Sequence, residues 1–253
     1  MRFDIITLFP ELFEAFLKNG VTRRAYEPDL VAVRLWNPRD YAEGNYRRVD
    51  DRPFGGGPGM VMMAEPLMAC LTAIRADRGQ DREVAPLVLF SPIGETLRHA
   101  SVQKWSDSQG AVLLCGRYEG IDQRFIDTQV DLQISLGDFV LSGGELAAMA
   151  LLDAVARLQP GVLNDEGSHQ LDSFNPALDG LLDCPHYTRP EQWAGQGVPA
   201  ELMSGHHVNI ERWRRDQRLL LTARLRPELI EAARVAAKLT PQDEAVLKAK
   251  NSL

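Results

Sequence analysis

The sequence predicts an α/β protein in which a mostly parallel sheet with helices on both faces is followed by a small helical domain. Three observations predict it. Apolar, β-branched runs alternate with helical periodicities over the first 160 residues, which is the pattern of a sheet covered on both sides. Those runs are continuously apolar rather than alternating, as strands buried on both faces should be. Beyond Asp172 no strong strand pattern remains, and only helical periodicities follow.

The elements follow in order. Residues 3–9 (FDIITLF) form the first strand, after which Pro10 suits a helix N1 position and ELFEAFLKNG runs to a glycine stop. Further strands are expected at 30–36 (LVAVRLW), 86–91 (PLVLFS), 110–116 (GAVLLCG) and 130–137 (VDLQISLG). Helices are expected between them at 64–79, 96–107 and 145–158. The stretch QPGVLNDEGSHQ (159–170) is polar, holds Pro and Gly and has no periodicity, so it reads as a linker. Helical patterns return at 209–225, 227–238 and 241–250, the last two opened by proline. The expected division is an α/β domain over 1–160, a flexible linker over 161–171 and a helical domain over 172–253. No internal repeat is visible.

Composition excludes several classes. The 253 residues are 45% hydrophobic and 25% charged, which rules out disorder and collagen-like repetition. No run reaches the 18 or more uncharged apolar residues of a membrane-spanning helix, and acidic residues this close to the start disfavour a secretory signal. Cys70, Cys115 and Cys184 are odd in number, far apart and without CxxC spacing, so neither a disulfide framework nor a zinc site is expected. A reduced, cytoplasmic chain is the expectation.

The net charge of −7 argues, taken alone, against a nucleic-acid partner. It is unevenly spread: residues 185–253 hold 11 basic against 8 acidic side chains, whereas 1–184 hold 17 against 27. Within 205–226 the count is 6 against 2, adjoining His206 and His207. A solvated helix face explains such a run as readily as a binding patch does.

Glycine turns are dense: FGGGPGM (54–60), SPIG (91–94), CGRYEGID (115–122) and LGDFVLSGGE (136–145). Three of the four follow an expected strand, at the carboxyl edge where open α/β sheets hold ligands. FGGGPGM lacks the Lys-Ser/Thr of a P-loop, and no GxGxxG opens a helix after the first strand. A nucleoside triphosphatase or a dinucleotide oxidoreductase is therefore disfavoured.

LFPELF, RPFGGGPGM, SPIG, LCGRYEGID, LGDFVLSGGELAAM, DAVAR, DSF, LLDCPHYTRP and LMSGHH occur in that order along the chain to residue 207. Together these blocks resemble the bacterial tRNA (guanine-N1)-methyltransferases, the TrmD family of the SPOUT class. The resemblance implies that the α/β domain is tied into a deep trefoil knot, which the rarity of threaded chains would never have suggested. It implies an obligate homodimer with each active site built from both chains. It implies transfer of the methyl group of S-adenosyl-L-methionine to N1 of the guanosine 3′ of the anticodon, tRNA position 37.

That acceptor nitrogen carries a proton, and removing it leaves negative charge shared with O6. Such chemistry needs a base near N1, a cation near O6 and in-line alignment. The resemblance assigns the base to Asp172 of DSF and the cation to Arg157 of DAVAR. The bland alternatives are an N-cap for Asp172 and a helix-dipole partner for Arg157. It assigns donor binding to Ser91, Pro92 and Gly94, to Gly116, Tyr118, Glu119 and Gly120, and to Ile134, Gly137, Leu141, Gly143 and Gly144. Glu119 or Asp138 suits the neighbourhood of a sulfonium cation or a pair with a neighbouring arginine. Ile93 departs from the family pattern, in which glutamine is common. RNA contacts fall to Asp50 and Arg52 beside FGGGPGM, and to Ser204, His206, His207, Arg212, Arg214 and Arg215, with Arg218 and a stacking or inward-packed Trp213 nearby. Arginine suits bidentate phosphate contacts. A magnesium requirement is suggested by the family, although nothing in the sequence marks a metal site, and His169 and His186 lack ligand spacing. The rival readings are a knotted methyltransferase acting elsewhere on RNA, such as ribose 2′-O, and a non-catalytic binding module.

Overall fold

The structure is a computed structural model that describes residues 1–79, 85–165, 167 and 169–250. The chain forms two compact units, Met1–Asn164 and Asp165–Leu253.

The first unit is built on five parallel strands: β1 (Arg2–Ile6), β2 (Ala32–Trp36), β5 (Leu87–Thr96), β6 (Gly110–Leu114) and β7 (Leu132–Ser135), in the spatial order β2-β1-β6-β5-β7. Two short strands, β3 (Asp50–Asp51) and β4 (Val61–Met62), form a separate antiparallel hairpin whose loop carries FGGGPGM. Helices α1 (Leu12–Lys18), α2 (Arg23–Tyr26), α3 (Ala64–Arg78), α4 (His99–Ser106), α5 (Gln123–Gln129) and α6 (Glu145–Ala156) complete it.

Successive strand residues point to opposite faces, and both faces are covered. Phe3, Ile5, Val88, Phe90, Ala111 and Leu113 pack with Phe13 of α1, Val102 of α4 and the apolar stripe of α6. Ile6, Leu87, Leu89, Val112 and Leu114 pack instead with Leu67, Cys70, Leu71 and Ile74 of α3 and Phe125 of α5. The two-sided burial expected from continuous apolar strands is therefore present. Burial also pushes the Cys70 thiol up to about 12 and the Cys115 thiol well above its ordinary value, so both behave as small core hydrophobes.

Most elements are a few residues shorter than or offset from expectation, β1 ending at Ile6 and α9 at Val235, and three boundaries differ for a visible reason. The strand expected at 86–91 runs on to Thr96, because Phe90 and Glu95 both pair with Ile134 and SPIG is the excursion between them. The following helix consequently starts at His99 rather than residue 96. Pro10 lies in a turn, and α1 opens at Leu12.

The second unit holds α7 (Ala200–Met203), α8 (His207–Leu225), α9 (Pro227–Val235) and α10 (Pro241–Lys250), with a core of Leu181, Leu219, Ile230, Ala233 and Leu247. It also contains one small hairpin of β8 (Gln192–Trp193) and β9 (Gln196–Gly197), too short for any periodicity to announce. Among the described residues no helix is long and apolar enough to cross a membrane.

Candidate active site

Strands β6, β5 and β7 are neighbours and parallel, so their carboxyl ends open on one edge. The segments that leave them enclose a cleft of about 270 Å³. Ser91 and Pro92 line it from β5, Gly116, Tyr118, Glu119 and Gly120 from the segment after β6, and Ile134, Leu141, Gly143 and Gly144 from β7 and the loop that follows. Ten of the twelve residues expected to bind the donor are thus brought together. Gly94 is not among them: a Cβ there would fall 2.5 Å from the carbonyl carbon of Gln133 and the nitrogen of Ile134, so it lets β5 approach β7 and lines a different hollow. Gly137 also lies outside the lining. Its carbonyl and N–H engage the Ser135 hydroxyl.

The cleft is apolar along Leu89, Ile134, Leu136, Leu141 and Ala147, with glycine main chain between. Such a lining suits a flat neutral heterocycle, whose faces meet aliphatic carbon and whose edges meet amides. Glu119 also lines the cleft, with its carboxylate against Gly59 of the β3–β4 loop, where a Cβ would fall 2.4 Å from Oε1.

The β3–β4 hairpin is stitched onto this cleft. The Met62 N–H donates to the Gly120 carbonyl at 2.9 Å, and the Glu119 N–H donates to the Met60 carbonyl at 3.0 Å. Tyr118, in the left-handed region at φ +61°, receives an Arg39 guanidinium N–H at 3.3 Å on its hydroxyl. Burial, then the bond to Asp50, raises its pKa. Asp50 is therefore tied to the lip of the cleft. Arg52 is exposed beside it, with its N–H on the Asp51 carboxylate at 2.8 Å.

Arg157 closes α6 at the C-cap, half-buried, with its N–H on the Asp153 carbonyl. Asp172 is half-buried in the second unit and follows the short turn His169–Leu171. The N-cap of the next turn, Pro176–Leu178, is Asn175, whose side chain accepts the Ala177 N–H at 2.9 Å. The capping role open to an aspartate in this segment is thus filled by its neighbour.

The arginines of α8 depart most from a free phosphate-binding patch. Arg212 pairs with Asp216 and, at 3.1 Å, with Asp243. Arg215 pairs with Asp179 at 2.8 Å and Asp243 at 3.1 Å, and buried Arg218 pairs with Asp183 at 3.2 Å. Arg214 is the more exposed, bonded to Glu211. Trp213 packs edge-on against Tyr187, ring centroids 6.1 Å apart. Ser204, His206 and His207 are exposed at the start of α8. Among the described residues no group of three or more His, Cys, Asp or Glu side chains is placed to hold a metal ion.

Sequence reasoning missed Arg117 and Glu145. Arg117 lines the cleft inside the CGRYEGID block, and Glu145 is buried at the first turn of α6. The available signal was the glutamate opening ELAAMALLDAVA on the apolar face of the helix, the only other charge in that run being the exposed Asp153.

Residues 1–232 match the family model described as tRNA (Guanine-1)-methyltransferase TrmD. Similar curated proteins carry the name tRNA (guanine-N(1)-)-methyltransferase. That of Paracidovorax citrulli (strain AAC00-1) is 76% identical over 254 aligned residues, covering the whole of both chains. That of Polaromonas sp. (strain JS666 / ATCC BAA-500) is 76% identical over 249, covering 98% of this chain and 96% of its own. That of Janthinobacterium sp. (strain Marseille) is 56% identical over 248, covering 98% of each. A parallel sheet with one glycine-walled cleft at its carboxyl edge, matched end to end by such relatives, makes the chain a member of the tRNA (guanine-1)-methyltransferase family.

Proposed function

We propose that this protein transfers the methyl group of S-adenosyl-L-methionine to N1 of the guanosine immediately 3′ of the anticodon, position 37 of tRNA. The observation that carries the reading is the convergence of the three glycine-rich segments on one cleft. Leu89, Ile134 and Leu141 offer aliphatic surface to an adenine, and Glu119 offers a carboxylate to a sulfonium.

Sulfonium is a good leaving group, so the protein's task is the acceptor. In this reading the Asp172 carboxylate takes the N1 proton as the nitrogen attacks the methyl carbon in line. The Arg157 guanidinium faces O6, where the charge left by that proton accumulates. The helical unit and the β3–β4 hairpin hold the anticodon stem-loop. The knotted path of the α/β unit, a homodimer with active sites shared between chains, and a cytoplasmic location belong to the same proposal. Exposed apolar side chains at Ile93, Phe139, Val140 and Leu146, next to or within the cleft segments, support a covering partner copy. The family suggests a magnesium requirement, and among the described residues no group of three or more His, Cys, Asp or Glu side chains is placed to hold the ion.

Labelled donor and two anticodon-stem transcripts test this, one with guanosine and one with adenosine at the target position. Label should enter the first alone. Transfer to both, or to neither, overturns the reading. Asp172→Ala and Arg157→Ala should each lower kcat by about 10²-fold or more, as loss of a general base or of a charge-stabilising donor does. Donor affinity should stay within about twofold, and a variant retaining near wild-type kcat removes that residue from its role.

A further inference from the structure

The LFPELF block at the end of β1 has no part in the chemistry above, yet the structure joins it to the cleft through one buried carboxylate. Glu145 is 1% exposed. Its Oε1 accepts the Thr7 hydroxyl at 2.9 Å and Arg117 Nε at 3.1 Å, and its Oε2 lies 2.9 Å from Arg117 Nη2. Arg117 Nη1 donates to the Ser142 carbonyl at 3.2 Å, and its guanidinium stands 4.5 Å from the centroid of the Phe9 ring. Thr7 in turn accepts the Phe9 N–H at 3.0 Å. The ion pair therefore bolts three segments together: the turn after β1, the segment after β6 and the loop entering α6.

Two of those three segments are walls of the cleft. Arg117, Ser142, Gly143 and Gly144 all line it. Gly143 is shared in the strictest sense, since a Cβ there would fall 2.3 Å from Arg117 Nε and 2.5 Å from Glu145 Oε2. The pair thus occupies the space that a side chain on the cleft wall would need.

Energy alone does not explain a buried pair, because desolvation offsets most of the attraction and an apolar replacement is often as stable. What the pair supplies is a fixed distance and angle. An arginine fork held by a carboxylate, a carbonyl and an aromatic face has little rotational freedom left. We propose that Glu145 is a positioning residue for methyl transfer, acting through Arg117 to set the separation of the two glycine walls, with Phe9 as the backstop for the guanidinium. The proposal rests on the donor-cleft reading of this site.

The test uses the full-length protein, with S-adenosylmethionine binding measured by calorimetry and steady-state kinetics run with a guanosine transcript. Glu145→Gln keeps the shape but places an amide against Arg117. It should raise the donor Kd and the donor KM by about tenfold, with the transcript KM at saturating donor within about twofold. Phe9 is half-exposed, so Phe9→Ala should fold even if Glu145→Gln does not, and should raise the donor Kd three- to fivefold. Glu145→Asp, which restores the charge one methylene short, should recover part of the loss. Unchanged donor affinity in both Glu145→Gln and Phe9→Ala overturns the proposal. So does an equal loss for donor and transcript that tracks melting temperature, since that marks a purely structural pair. Failure of the wild-type protein to bind donor would instead sink the cleft assignment beneath it.

Discussion

At the residue scale, glycines that look alike in sequence do different work. A Cβ on Gly94 would fall 2.5 Å from the main chain of β7, atoms that cannot move aside without separating two strands. Gly116 lines the cleft, and a Cβ there would meet only the side-chain ends of Ile121 at 3.4 Å and Leu89 at 3.7 Å, ordinary contacts. Gly94→Ala should therefore destabilise the protein by about 2–3 kcal/mol, the range of an overpacked core. Gly116→Ala should cost less than about 1 kcal/mol while weakening donor binding, because its methyl group projects at the cleft. Urea unfolding of both variants with unchanged m-values, paired with donor titrations, checks the split. Equal stability losses would show that SPIG and CGRYEG serve the same purpose.

At the element scale, α8 and α10 are joined by a carboxylate rather than by apolar contact alone. Asp243 is 1% exposed and takes Arg212 at 3.1 Å, Arg215 at 3.1 Å and the Thr240 N–H at 3.0 Å, while its own N–H returns to the Thr240 hydroxyl. That reciprocal bonding is a capping box that opens α10. Burial works against the charged form, but the Arg215 and Thr240 bonds outweigh it and hold the Asp243 pKa at about 2. A carboxyl group depressed from its ordinary value near 3.9 contributes stability that is complete above pH 4 and lost as pH falls through 2. For this group the contribution is about 2 kcal/mol. Asp243→Asn should flatten stability between pH 4 and 2 and lower it at pH 7, as denaturant melts across that range will show. A wild-type profile in the variant would mean that the pair contributes nothing. None of this was legible in the arginine run of 205–226. Apart from Asp216, which pairs with Arg212 one turn along α8, the carboxylates that neutralise Arg212, Arg215 and Arg218 come from Asp179, Asp183 and Asp243, 28 to 36 residues away in sequence. Local periodicity carries no record of such pairs. The α/β order was legible because the central strands β5 and β6 are apolar on both faces, and the cleft because its walls are contiguous glycine motifs. The buried Thr7–Glu145–Arg117 contact joins positions up to 138 residues apart. It left only a lone glutamate in an apolar stripe as its trace.

At the scale of the whole molecule, the net charge of −7 becomes a statement about how RNA would be bound. The first unit is acidic, and on the helical unit Arg212, Arg215, Arg218, Arg226 and Arg234 are each paired with carboxylates of the same chain. Binding to phosphates would have to compete with those pairs and with the Arg214–Glu211 pair, whereas His206 and His207 stand exposed. Affinity for an anticodon stem-loop should then come mainly from shape and from the target base at the cleft, with few counterions released. Since the salt slope scales with the number of phosphates neutralised, at about 0.9 per duplex contact, the logarithm of transcript affinity should fall with log[salt] at a slope no steeper than about −3. Titrations of a guanosine transcript from 50 to 300 mM salt measure it, with donor present throughout. A slope near −6 or steeper would mean that the α8 arginines leave their carboxylates on binding and that the patch seen in the sequence is used directly. Arg212→Ala distinguishes the two cases: it should lower thermal stability and leave the slope unchanged if the arginine is a strut, and flatten the slope if it meets phosphate.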